Sequence, residues 1–256
     1  MDYTYLDTTI YYEKHGSGKK NIVILPGWGD TSKTFSYMIS FLKNYFTVYI
    51  VDYPGFGNSV FPNRDLTIYD YSLLIYNFIQ DLEIENPILI GHSFGGRIIT
   101  TLLGYYHYSF SNIILMNSAG IKPKRTLYSR IHNFFYKVLK KLKIVFPKKY
   151  RKKYLKYLFQ KFASSDYQAL PPNMMQTFKN VISEDLKPYL KEIKAKTLLI
   201  WGNKDSATPL KDGNTMNKLI SDSEIVVLDG CSHFTYLEKP FLVNQIIYEQ
   251  LKDEIM

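Results

Sequence analysis

The sequence predicts an α/β fold: a mostly parallel, eight-stranded sheet flanked by helices, with a helical segment inserted after the sixth strand. Three observations predict it. Short β-branched, apolar runs alternate with segments of helical period, the order that a parallel sheet with crossover helices requires. One strand-to-helix junction is Gly91-His92-Ser93-Phe94-Gly95, a G-x-S-x-G turn. After Ser118-Ala-Gly120 the alternation stops, and lysine-rich amphipathic segments follow until it resumes at Thr197. With 256 residues the chain can bury one large core.

The elements follow in order. Tyr3–Leu6 and Thr8–Tyr12 read as two short strands of a hairpin-like start. Gly16-Ser-Gly18 turns the chain into Asn21–Leu25, an apolar run suited to a central strand, which leads to Pro26-Gly27-Trp28-Gly29-Asp30. Thr34–Asn44 has helical spacing through Phe35, Met38, Ile39 and Leu42. Thr47–Val51 is the next strand, and Asp52-Tyr-Pro-Gly-Phe-Gly-Asn-Ser59 leaves it. Ile68–Leu82 is helical through Tyr71, Leu74, Ile75, Phe78 and Ile79. Pro87–Ile90 is the strand before the G-x-S-x-G turn, Ile98, Ile99, Leu102 and Leu103 mark the helix after it, and Asn112–Met116 is the sixth strand.

The insertion carries three helical stretches. Leu127–Phe146 has an apolar stripe through Ile131, Phe134, Phe135, Val138 and Leu142, with most of its lysines off the stripe. Pro147 interrupts it, and Tyr150–Phe162 repeats the pattern. A third stretch lies between Pro172 and Ile193. Thr197–Trp201 and Glu224–Leu228 restore the sheet, with a helix inside Pro209–Ile220 between them, and Pro240 opens a closing helix to about Glu254.

The chemistry starts at Ser93. A strand, a tight turn and a helix around a serine force its backbone into strain and project the hydroxyl clear, at the positive end of the helix. A serine hydroxyl is too weak an acid to attack an ester unaided; it needs a base, and the base an orienting carboxylate. The chain supplies both just past strand ends: Asp205 in Trp201-Gly-Asn-Lys-Asp205 and His233 in Gly230-Cys-Ser-His233. Asp212 stands in a helical stretch and Asp229 sits too close to its strand. His107 and His132 lie on helices, and Cys231 has no elbow around it, so it reads as packing.

Together these segments resemble the α/β-hydrolase family, in particular its small single-chain serine hydrolases with a helical cap. The resemblance rests on the Ser93 elbow, Trp201–Asp205, the ending His233-Phe-Thr-Tyr-Leu-Glu-Lys-Pro240, and Asp52–Ser59, which is similar to the family's D-x-x-G-x-G-x-S loop. It implies a hydrolase core over residues 1–120 and 191–256, with residues 121–190 as a cap. It implies Ser93 as nucleophile, His233 as base and Asp205 as orienting acid, acting on a carboxylic ester or thioester through an acyl-enzyme without metal or cofactor. The backbone N–H groups of Trp28 and Phe94 would form the oxyanion hole, although Pro26-Gly27 stands where many members have His-Gly. Serine rather than aspartate at the elbow separates the chain from the dehalogenases and epoxide hydrolases of this fold. The apolar stripe of the cap, with Phe134, Phe135, Val138 and Leu142, is expected to line an apolar acyl pocket. The rival expectation is a hydrolase-fold ligand-binding or signalling protein with marginal turnover.

The charge is unevenly placed. The net charge is +9, yet no acidic residue occurs between Glu85 and Asp166, and 15 of the 32 Lys and Arg fall within Lys122–Lys161. Such a segment either solvates the outer face of the cap or attracts an acidic partner, namely an acyl carrier protein or an anionic membrane surface. Nucleic acid is not expected, since no binding motif accompanies the charge. A single cysteine excludes internal disulfides, no signal peptide or membrane span is visible, and a cytoplasmic, soluble protein is expected.

Overall fold

In a computed structural model of the chain, residues 1–122, 138–145, 147–162, 167–168 and 170–254 are described. Eight strands form one sheet: β1 (Asp2–Tyr5), β2 (Thr8–His15), β3 (Asn21–Leu25), β4 (Thr47–Asp52), β5 (Ile88–His92), β6 (Asn112–Met116), β7 (Lys196–Gly202) and β8 (Ser223–Leu228). Their order is β1-β2-β4-β3-β5-β6-β7-β8. β2 pairs antiparallel with both β1 and β4, and every other pairing is parallel.

Side-chain alternation decides what each face buries. Val23 and Leu25 face a cluster with Leu74, Phe78, Ile98 and Met216, whereas Ile22 and Ile24 face one with Met38, Leu42, Val243 and Ile247. Helices α2 (Ile68–Asp81), α3 (Phe94–Thr100) and α6 (Leu210–Leu219) supply the first cluster; α1 (Ser36–Leu42) and α7 (Pro240–Leu251) supply the second. Covered on both sides, β4, β5 and β6 are buried along their whole length, which explains their unbroken apolar character.

Helix boundaries differ from the sequence expectation in ways that local chemistry explains. The expected helix at Thr34 begins instead as a 3₁₀ turn, Ser32–Phe35, that runs into α1. α2 starts where Thr67 and Asp70 form a capping box, each side chain accepting from the other's backbone N–H. β5 runs two residues past Ile90, because Gly91 and His92 stay in register with Leu115 and Met116 of β6. Helix α3 therefore begins directly at Phe94, and a π-helical turn, Thr101–Tyr105, continues it.

Between β6 and β7 the described residues contain α4 (Lys148–Phe162) and α5 (Met175–Ser183), followed by a 3₁₀ stretch, Lys187–Glu192. The expected helix over 127–146 falls largely outside the described residues. Within it, 138–141 are helical and Leu142–Val145 form a 3₁₀ turn. Helix α5 is fixed to the sheet domain by polar contacts. Leu66 N–H donates to Thr177 Oγ1 at 3.0 Å, and Asn180 Nδ2 donates to the Leu66 carbonyl at 3.2 Å. Buried Arg97 of α3 donates to the Val181 and Glu184 carbonyls at 2.7 and 2.6 Å, placing a cation at the negative end of α5.

Candidate active site

Strand order reverses between β3 and β5, and an open α/β sheet forms its binding crevice beyond the strand ends at such a switch point. Trp28 follows β3 there, and Ser93 follows β5. Ser93 has φ 48° and ψ −104°, a conformation that costs a non-glycine residue on the order of 1–3 kcal/mol. The surroundings enforce it: Ser93 N–H donates to the Met116 carbonyl at 3.1 Å, and Ala119 N–H donates to the Ser93 carbonyl at 3.0 Å. Gly95 permits the tight turn, since a Cβ there would sit 1.9 Å from the Leu25 carbonyl oxygen.

His233 and Asp205 meet from the loops after β8 and β7, with Nδ1 of His233 2.8 Å from Oδ2 of Asp205. A carboxylate only accepts, so the imidazole proton sits on Nδ1 and Nε2 carries the free lone pair. Asp205 is buried and heavily served: Asn117 Nδ2 and Thr208 Oγ1 each donate to Oδ2 at 2.7 Å, and the backbone N–H groups of Ala207 and Thr208 donate to Oδ1. Burial alone would raise its pKa, but the hydrogen bonds from His233, Thr208 and Asn117 outweigh it and hold the carboxyl at about 2. Asp205 is therefore a full negative charge at neutral pH.

Ser93, His233, Trp28 and Phe94 line one cavity of about 410 Å³. Phe94 opens α3, so its N–H has no partner within the helix and sits at the helix's positive end. The cavity's apolar wall comes from Phe178, Val181 and Ile182 of α5, together with Trp28, whose ring meets Phe178 at 5.3 Å between centroids. This departs from the expected pocket. Val138 and Leu142 do not line the cavity and are 39% and 45% exposed; Val138 lies in a helical turn and Leu142 opens the 3₁₀ turn that follows it. Phe134 and Phe135 lie outside the described residues.

Sequence reasoning passed over Asn117, Thr208 and the wall of α5. Asn117 carried one legible signal, its place immediately beyond β6, where Asp205 and His233 stand beyond β7 and β8. Cys231 is packed in the second core cluster, and burial pushes its thiol up, away from the nucleophilic thiolate. Among the described residues no group of three or more His, Cys, Asp or Glu suits a metal ion, and no helix is long and apolar enough to cross a membrane.

The chain belongs to the alpha/beta hydrolase fold family, whose sequence model matches residues 20–240. It is 31% identical over 251 residues to the pimeloyl-[acyl-carrier protein] methyl ester esterase of Wigglesworthia glossinidia brevipalpis, covering 91% of this chain and 93% of that one. It is 25% identical to the 2-hydroxy-6-oxo-6-phenylhexa-2,4-dienoate hydrolase of Comamonas testosteroni, over 96% of this chain and 92% of that one. Among solved structures, the esterase from Exiguobacterium antarcticum superposes with a TM-score of 0.74 at 24% identity, covering 96% of each chain.

Proposed function

We propose that this protein is a serine hydrolase that cleaves a carboxylic ester or thioester of an apolar acyl group through an acyl-enzyme. The observation that carries the proposal is the paired His233 and Asp205, 2.8 Å apart, opening with strained Ser93 onto one largely apolar cavity. Ester cleavage is further supported by relatives whose names describe methyl ester esterases. Ser93 Oγ attacks the carbonyl carbon while its proton passes to Nε2 of His233, and the N–H groups of Trp28 and Phe94 meet the charge on the carbonyl oxygen. The intermediate collapses, His233 returns the proton to the departing alkoxide, and the alcohol leaves. Water then attacks the acyl-enzyme with His233 again as base, releasing the acid and free Ser93.

Residues 121–190 act as a cap in this proposal, with α5 as the wall that selects the acyl group. The lysines at 140, 141, 148, 149, 152 and 153 are exposed on the same insertion and offer a docking face for an acidic carrier that presents the substrate. Support comes from the 31% identical relative, whose name includes an acyl-carrier protein. The test is turnover of short p-nitrophenyl esters by the purified chain and by Ser93→Ala. Turnover that falls on the order of 10⁶-fold in the variant supports the proposal. Tight ligand binding without turnover in the native chain would instead favour a binding or signalling role.

A further inference from the structure

We infer that His92, the residue before the nucleophile, is a positioning residue that ties the loop of the base and the oxyanion loop to the nucleophile strand. The inference rests on the functional proposal above for its catalytic consequence. Its structural content stands on the geometry alone.

His92 is 1% exposed, and both of its ring nitrogens face a polar atom from another loop. Nε2 lies 3.0 Å from the backbone carbonyl oxygen of His233, and Nδ1 lies 3.2 Å from Oδ2 of Asp30. A carbonyl oxygen can only accept, so Nε2 carries a proton. Burial also pushes the His92 pKa down, which favours a neutral ring with its single proton on Nε2. His92 and His233 thus donate from opposite nitrogens: His92 from Nε2 to the His233 carbonyl, and His233 from Nδ1 to Asp205.

Three further observations show that this connection is built in rather than incidental. Tyr236 OH donates to the same Asp30 oxygen at 3.3 Å and packs against His92, with ring centroids 5.0 Å apart. The backbone of Gly27 passes so close that a Cβ there would sit 2.5 Å from Asp30 Oδ2 and 2.8 Å from His92 Nδ1. The neighbouring carbonyl, that of Ser232, is held by Asn117 Nδ2 at 3.2 Å, so two successive carbonyls of the base's loop are pinned to the sheet. The loop from Gly27 to Asp30 contains Trp28, and no histidine stands at Pro26. His92 supplies from the neighbouring strand a tether for that loop and for His233 at once.

A base displaced by about 1 Å costs on the order of 10² in rate, and such an effect appears in kcat rather than in KM. His92→Gln keeps an N–H donor near the Nε2 position, whereas His92→Leu keeps none. We expect His92→Leu to lose about 100-fold in kcat with KM changed less than threefold, and His92→Gln to recover at least tenfold of that loss. Equal losses in the two variants, or a loss confined to KM, would overturn the inference. A second readout needs no turnover and no variant that might misfold. Long-range ¹H–¹⁵N correlation spectra of the native chain at neutral pH should show Nε2 of His92 protonated. A bare Nε2 on His92 would overturn the inference whether or not the chain cleaves esters.

Discussion

Asp205 shows how a single side chain is set by its neighbours. Five donors, His233 Nδ1 among them, converge on a buried carboxylate, and against the upward push of burial their combined pull leaves its pKa at about 2. The folded pKa lies below that of the unfolded chain, near 3.9, so the contribution to stability is fully present above about pH 4 and is lost as pH falls toward 2. Acid unfolding followed by circular dichroism should lose about 2 kcal/mol across that window, and Asp205→Asn should flatten the dependence there. The same substitution should lower kcat by roughly 10⁴, because an amide can present its donor to His233 and favour the wrong tautomer. Activity untouched in Asp205→Asn would show that another acid orients the base. The positions of Ser93, Asp205 and His233 were legible because each follows a strand end by a few residues. Asn117 and His92 were not, since their partners lie 88 and 141 residues away and only the folded sheet brings them together; Thr208 is three residues from Asp205, in a loop whose turn the sequence does not declare.

At the scale of the element, the sheet was legible and the wall of the cavity was not. Strands such as Asn21–Leu25 and Asn112–Met116 declare themselves because burial on both faces demands continuous apolar runs. α5 was legible only as a helical stretch between Pro172 and Ile193, not as a wall: Val181 anchors it in the core and Thr177, Asn180 and Arg97 fix it through partners distant in sequence. The expectation that Val138 and Leu142 would face the substrate took the stripe as one continuous helix, whereas helical geometry gives way to a 3₁₀ turn at Leu142 and both side chains are exposed. With α5 as the wall, lengthening a linear acyl chain should raise kcat/KM roughly fourfold per methylene until Phe178 is met, from about 0.8 kcal/mol per buried methylene. Phe178→Ala should move that limit to longer chains. Equal rates for acetyl and hexanoyl p-nitrophenyl esters in the native chain would contradict an apolar acyl pocket.

The whole molecule divides its charge from its chemistry. The net charge is +9, but the basic residues concentrate in the insertion, and outside Lys122–Lys161 the 23 acidic residues outnumber 17 basic ones. A field of this kind acts on encounter and fades over about 8 Å at physiological salt, so it steers a large acidic partner and leaves a small neutral ester unaffected. For a substrate presented by an acyl carrier protein, raising salt should increase KM several-fold while kcat holds. Charge reversal at Lys140, Lys141, Lys152 and Lys153 should reproduce the high-salt KM. Free p-nitrophenyl esters should respond to neither change. Binding to anionic vesicles but not to the carrier would assign the basic face to a membrane instead.

The central claim is that Ser93 carries the acyl group during turnover, and acid-quenched intact-mass measurement tests it most directly. During steady-state cleavage of p-nitrophenyl hexanoate the native chain should gain the mass of one hexanoyl group, and peptide mapping should place it on Ser93. Turnover with no adduct on Ser93, or an adduct that persists in Ser93→Ala, would contradict the account.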